Sequence, residues 1–358
     1  MGSYVSSART NDAMVDKVLL CTEMRAADEI AMRSVDRRLF LPEEYTEPYS
    51  LDPVTWKGMV ISSPRIYAEV LKHLKLEPGD RFLNVGSGSG YFSCIAGILV
   101  ANGGMNIGLE IKPDLVEYSK QCVSRMLRSC NSFRLLDFVP PQFYCGNLQN
   151  VEEIFREKYF NKIYCGFELD IAATFLLSEF LRPNGILVTP WLRRVNRNMA
   201  VHTSSYFLKL NVVKKTASSS IAVTDVCPTV FDRMIISTSS SVIPVDISCM
   251  PSLYQIALWE LHRLVTDSIL RHYPKFQHYY SGRVEVDCAA LRSSVRKKKR
   301  MPQKVKNVTY RLENAPCGHV KAWECHETMK QAVAEDIERV IQNLPIPEKL
   351  KRSLLFHS

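Results

Sequence analysis

No stretch of this chain is apolar for long enough to cross a bilayer. The longest run, Tyr91 to Val100, is about half the ~20 residues that a spanning helix needs. The N-terminus lacks the basic-then-apolar build of a secretory signal, and no low-complexity tract interrupts the chain. Zinc-type cysteine pairing is missing too: Cys317, His319, Cys325 and His326 lie near one another without the paired-ligand spacing, so no metal is expected. Acidic residues are absent from Leu291 to Lys306, where Arg292, Arg296, Lys297, Lys298, Lys299, Arg300, Lys304 and Lys306 account for nearly all of the net charge of +9. With this segment set aside the remainder is close to neutral, which argues against a chain-wide nucleic-acid surface. The segment itself reads either as a solvated linker or as a patch for nuclear import or a polyanion. Eleven cysteines, an odd number with no export address, suggest reduced thiols and a cytoplasmic or nuclear protein.

What the chain does contain is alternation. After an arm over residues 1–13, Met14 to Val35 carries helical apolar spacing. Ser63-Pro64 opens a helix with Ile66, Val70, Leu71 and Leu74 on one face. A strand, a glycine loop, a helix and a second strand then run to Glu110, and the rhythm continues to about Phe231. It includes apolar Lys162 to Cys165, a helix through Leu181, a turn at Pro183-Asn184-Gly185 and a strand from Ile186 to Thr189. Strands alternating with helices predict an α/β domain with a parallel sheet, ending near residue 240. Beyond it, Leu253 to Ile269 is helical, and Met329 to Leu355 reads as helix, proline break, helix.

The chemistry is concentrated after the strand Arg81-Phe82-Leu83-Asn84-Val85, where Gly86-Ser87-Gly88-Ser89-Gly90 follows directly. Glycines at this spacing turn the backbone tightly and let it approach a ligand where a Cβ would clash. The pattern is one residue shorter than the dinucleotide fingerprint, which favours S-adenosyl-L-methionine over a pyrophosphate-bearing cofactor. Gly108-Leu109-Glu110 closes the next strand, and a carboxylate there suits both hydroxyls of a ribose. Tyr144-Cys145-Gly146-Asn147-Leu148 places Asn147 where an adenine edge would lie, although Gly-Asn is equally a turn signal. The cofactor-binding candidates are therefore Asn84, Gly86, Ser87, Gly88, Ser89, Gly90, Glu110 and Asn147.

Two stretches together resemble the protein L-isoaspartyl O-methyltransferases. They are Ser34-Val35-Asp36-Arg37-Arg38-Leu39-Phe40-Leu41-Pro42 with Val60-Ile61-Ser62-Ser63-Pro64, and Leu76-Glu77-Pro78-Gly79-Asp80-Arg81 running into the glycine loop. The likeness continues through Leu181-Arg182-Pro183-Asn184-Gly185 and is strongest to the isoaspartate methyltransferase domain-containing proteins, which add a C-terminal extension. It implies a Rossmann-like S-adenosylmethionine-dependent methyltransferase fold over residues 14–240 with a mainly helical extension over 250–358. It also implies methylation of an isoaspartyl carboxylate, the first step of protein repair. A carboxylate attacking a sulfonium methyl needs alignment more than proton transfer, and the resemblance assigns that alignment to Ser62. Ser62 reads equally as a cap for the helix at Pro64, a role for which Ser63 competes. The chain departs from the family at Gly146-Asn147 and at Cys165-Gly166-Phe167-Glu168, where bulk stands near the expected acceptor site. Cofactor binding is thus expected more firmly than turnover.

The ends carry separate signals. Met1-Gly2-Ser3-Tyr4-Val5-Ser6 fits N-myristoylation on Gly2, which would give weak membrane contact. Residues 252–261 resemble the BC box through which SOCS-box proteins bind elongin C, with Leu253, Ala257 and Leu261 on one face. Residues 344–350, with Leu344, Pro345, Ile346 and Pro347, resemble a cullin box for cullin 5, and the basic stretch 291–306 lies between the two. Taken together these features suggest a substrate receptor of a cullin-RING ubiquitin ligase that recognises isoaspartyl-damaged proteins. The alternative is an active repair methyltransferase. A nucleic-acid methyltransferase is disfavoured, because Val139-Pro140-Pro141-Gln142-Phe143 has the wrong order for the amino-methylating tetrapeptide.

Overall fold

A computed structural model describes residues 8–56, 58–101, 103–129, 138–148, 160–193, 207–216, 220–228, 253–272 and 327–355. Gly2, the domain boundary near 240 and the segment 291–306 lie outside them. Two helices open the described chain, α1 (Asn11–Leu19) and α2 (Ala26–Ser34), followed by a 3-10 turn (Arg37–Phe40). The single helical span expected from Met14 to Val35 is therefore two, and α1 begins inside the arm expected over 1–13. Thr10 caps α1 by accepting from the Ala13 N–H, and the buried Asn11 amide donates to the carbonyls of Met32 and Arg33, each at 3.0 Å, which pins the start of α1 to the end of α2.

A small antiparallel hairpin follows, β1 (Val54–Trp56) and β2 (Met59–Ile61). Next come α3 (Pro64–Leu74), β3 (Arg81–Val85), α4 (Tyr91–Leu99), β4 (Met105–Glu110), α5 (Pro113–Ser129), β5 (Gln142–Cys145), β6 (Phe160–Cys165), α6 (Ile171–Glu179) and β7 (Leu181–Arg193). Two further strands, β8 (Phe207–Lys215) and β9 (Ile221–Pro228), complete a seven-stranded sheet of order β5-β4-β3-β6-β7-β8-β9. This is the expected Rossmann-like architecture, with β3 buried at every residue in its middle.

The sheet is mixed, however, where a parallel one was expected. β8 is antiparallel to β7 and β9 is antiparallel to β8. The link from Lys215 to Ile221 is too short for a crossover, so the two strands can pair only antiparallel. The helix expected to run through Leu181 ends at Glu179, and the Pro183-Asn184-Gly185 turn lies inside β7. Asn184 there has φ 65°, and the register with β6 shifts around it. A buried layer containing Phe82, Tyr164, Val188 and Leu210 packs against α3, α4 and α5. The opposite layer, with Leu83, Ile107, Ile163 and Leu187, meets Leu177 of α6.

Past residue 252 the described chain is helical: α7 (Leu253–Leu270), α8 (Glu327–Asn343) and α9 (Glu348–Leu354). They share a small core of Val265, Ile337, Ile341, Leu354 and Leu355, against which Ile30 of α2 and Ile98 of α4 also rest. Among the described residues no helix is long and apolar enough to cross a membrane.

Candidate active site

Strand order reverses at β3, with β4 on one side and β6 on the other, and at such a point the loops leaving the carboxyl ends diverge to open a crevice. Four of those loops are tied together here. Gly86 N–H donates to Leu109 O at 2.8 Å, Gly146 N–H to Glu110 O at 2.9 Å, and Gly166 N–H to Val85 O at 2.9 Å. They border a cleft of about 130 Å³ with Gly58, Met59 and Val60 of the hairpin on one wall and Phe167 on another.

Glu110 organises the cleft. Its Oε2 accepts from Gly88 N–H at 3.0 Å, and its Oε1 from Ile111 N–H at 2.9 Å and Lys112 N–H at 3.2 Å. Burial pushes its pKa above the ordinary glutamate value, and these three donors pull it back. A carboxylate has roughly four lone-pair sites, so one remains for a ligand hydroxyl while the loop is held this way. The expected grip on two ribose hydroxyls therefore requires one of the backbone donors to yield. Gly88 has φ 54°, where an L side chain is strained, and a Cβ there would meet Met59 Cγ at 3.5 Å and Val60 O at 3.9 Å. At Gly86 a Cβ would stand 2.8 Å from Phe167 Cδ1, so the ring occupies the space that the missing side chain leaves.

Of the cofactor residues expected from sequence, Gly86, Gly88, Glu110 and Asn147 line the cleft together. Asn84, Ser87, Ser89 and Gly90 are not among its lining residues. Side chains alternate along a strand, and Asn84 falls on the α4 side, where its amide donates to Ser93 Oγ at 2.9 Å. The Ser87 and Ser89 hydroxyls are buried. Gly90 caps α4 with φ 81°, and the Phe143 ring fills the space beside it. Sequence reasoning missed Met59, Val60 and Lys112. Lys112 Nζ donates to Gly58 O at 2.8 Å and so ties the hairpin to the strand that carries Glu110. Only its place two residues after Glu110 hinted at it. Phe167, singled out as bulk near the acceptor, stands in the cleft wall itself.

The two serines before α3 separate into different roles. Ser63 is the cap, its Oγ accepting from Ile66 N–H at 3.3 Å. Ser62 carries no capping bond. Its N–H donates to Tyr67 Oη at 3.1 Å, and the residue is 8% exposed at the end of β2, the strand that supplies Met59 and Val60 to the cleft.

Residues 11–137 match the family described as protein-L-isoaspartate(D-aspartate) O-methyltransferase. That is the stretch holding the hairpin, Ser62, the glycine loop and Glu110. Two curated relatives bear the name protein-L-isoaspartate O-methyltransferase. The one from Fervidobacterium nodosum is 36% identical over 97 residues, covering 26% of this chain and 48% of its own. The one from Triticum aestivum is 37% identical over 124 residues, covering 33% of this chain and 53% of its own. The chain thus spans about half the length of the curated relatives it matches. A Plasmodium falciparum protein-L-isoaspartate O-methyltransferase, solved in complex with S-adenosyl-L-homocysteine, superimposes at a TM-score of 0.49 with 23% identity, over 63% of this chain and 98% of that one. Asn147, Phe167 and helices α7 to α9 fall beyond the family match.

The C-terminal motif residues occupy one helical unit. In α7, Ala257 is exposed and Leu261 half-buried, and Leu253 is the first helical residue. Leu344 and Ile346 rest against the small core that Leu261 also touches, Pro345 is exposed, and Pro347 caps α9. Cys317, His319, Cys325 and His326 lie outside the described residues, and no cluster fit for a metal occurs among those described.

Proposed function

We propose that the sheet domain is an S-adenosyl-L-methionine-dependent methyltransferase of the isoaspartyl type, taking a protein carboxylate as acceptor. The observation that carries this is the meeting of Gly86, Gly88, Glu110 and Asn147 in one cleft, with Ser62 at the end of the strand lining its wall. The residues fit the cofactor. Glu110 is a buried carboxylate held by backbone N–H groups without an ion pair among the described residues, and it offers an acceptor to a sugar hydroxyl. Asn147 is 3% exposed on the neighbouring loop that Gly146 ties to Glu110 O, and its amide is of a type that suits a base edge. The bound cofactor would supply an electrophilic methyl carbon. The acceptor is already ionised and the leaving thioether neutral, so the chain needs only to orient the carboxylate and exclude water. Ser62 would do the orienting, and no general base is required.

Calorimetry with S-adenosylmethionine tests the cofactor half. Gly88→Asp adds a side chain and a charge beside Glu110 and is expected to weaken binding at least ~100-fold, about 3 kcal/mol. A well-folded wild type that binds nothing would sink the reading. Transfer of labelled methyl to an isoaspartyl peptide tests the other half, and its loss in Ser62→Ala is the expected result.

A second reading concerns α7 to α9 and rests on a different observation. α7 buries His262, Val265 and Thr266 yet exposes Ala257, Glu260 and Leu264, the last 52% exposed. Ala257 and Leu264, exposed seven residues apart on one helix face, suit a partner groove, and the segment at Leu344 to Pro347 lies on the same unit. This supports an added role as a ubiquitin-ligase receptor, with elongins B and C on Leu253, Ala257 and Leu261 and cullin 5 near Pro345 and Pro347. Isoaspartyl-damaged proteins would be the cargo, and the protein would work in the cytoplasm with Gly2 acylated. Co-purification decides the matter: Leu253→Pro should eliminate the elongin complex and leave cofactor binding intact.

A further inference from the structure

Beneath Ser62 lies a polar cluster drawn from four elements. Tyr67 comes from α3, Tyr91 from α4, Tyr164 from β6 and Arg37 from the 3-10 turn. The rings of Tyr67 and Tyr164 meet edge to face at 6.4 Å, and those of Tyr67 and Tyr91 at 5.7 Å. Tyr67 Oη already accepts the Ser62 N–H. The Tyr164 hydroxyl is buried within reach of the Ser62 side chain and has no other hydrogen-bond partner among the described residues. Arg37 is fully buried, and its guanidinium donates to backbone carbonyls: Ser50 O, Asp52 O at 3.2 Å and Ser62 O at 3.4 Å. Its Nε has no acceptor, and no described carboxylate pairs with it. The cluster thus sets a buried cation beside three phenol hydroxyls.

Burial raises the pKa of both Tyr67 and Tyr164, so each phenol keeps its hydrogen at neutral pH. A serine hydroxyl has one hydrogen and two lone pairs. We propose that Tyr67 and Tyr164 are positioning residues that donate into the lone pairs of Ser62 Oγ, so that its single hydrogen points to the acceptor and the site selects an anionic oxygen. A hydroxyl fixed as a donor rejects a protonated amine and gains less from an ester than from a carboxylate. The positive charge of Arg37 acts in the same direction, because a buried charge is weakly screened. This inference rests on the methyltransferase reading and adds to it the source of acceptor selectivity.

The test compares equilibrium binding of a fluorescent isoaspartyl peptide with that of its methyl ester, with and without S-adenosylhomocysteine. Wild type is expected to hold the acid about tenfold or more tighter than the ester, as suits a hydrogen bond to a charged group. Tyr164→Phe keeps the ring and should lower acid binding and kcat/KM about tenfold, leaving cofactor affinity unchanged. In a Ser62→Ala background the same change should cost nothing further, an outcome that a purely structural tyrosine would not produce. Tyr67→Phe is the second variant and should behave alike should Tyr164→Phe fold poorly. Equal cost in both backgrounds, or wild-type behaviour of Tyr164→Phe, overturns the inference. A wild type that binds cofactor but treats acid and ester alike overturns this inference alone, whereas one that binds no cofactor overturns the methyltransferase reading.

Discussion

The two ends of the molecule are held together in different ways. The sheet domain has a buried layer on each face of its strands, and its cleft is braced by backbone bonds between neighbouring loops. Among the described residues the C-terminal helices share five buried apolar side chains and lean on Ile30 and Ile98 for more cover. A core that small is stabilised by few contacts, so single changes should unfold it while the larger domain stands.

The largest expected effect follows from that contrast. Ile337 is 0% exposed, and Ile337→Ala should cost the helical unit about 2–5 kcal/mol. Hydrogen exchange would then show amides of 253–272 losing protection while those of β3 and β4 keep theirs. Equal loss in both regions would mean that the helices and the sheet form one cooperative unit.

Acidification should divide the regions in a similar way. His262 is buried, and desolvation lowers its pKa from 6.5 to about 4. A folded-state pKa below the unfolded value means that the unfolded chain binds the extra proton first. The stability is thus fully present above pH 6.5 and lost as pH falls toward 4, by roughly 3 kcal/mol at most. Circular dichroism of the chain between pH 7 and 4.5 should show helix loss, and His262→Phe should blunt it.

A smaller effect tests the cleft. Glu110→Gln removes the charge that three N–H groups address and should weaken cofactor binding about 10- to 100-fold by calorimetry. In wild type, affinity should fall as pH drops through a value above the ordinary glutamate pKa, since burial raises that of Glu110. The smallest effect compares the adjacent serines. Ser63→Ala should cost about 1 kcal/mol in thermal stability through the lost cap and spare methyl transfer, and Ser62→Ala should do the reverse.

What is legible in the sequence varies with the range of the contact involved. The strand Arg81–Val85, the glycine loop and Glu110 all follow from local spacing. Ser63 and Ser62 could not be ranked that way, because capping and orienting use the same residue type; a bond of 3.3 Å to Ile66 N–H separates them. Asn84 turns to the α4 side of β3, and the sequence next to the loop does not show which face of the sheet a strand residue takes. The antiparallel β8 and β9 were hidden because apolar strands carry no mark of direction.

Sequence alone therefore settled the features that depend on neighbours along the chain: where φ must be positive, where a Cβ is forbidden, which helix starts with a cap, and where a carboxylate ends a strand. Tertiary structure decided what those features face. It set Phe167 against Gly86, tied the hairpin to Lys112, and gathered Tyr67, Tyr91, Tyr164 and Arg37 beneath Ser62. Those residues come from separate elements, and only burial in a shared core makes their hydroxyls and charge act on one another.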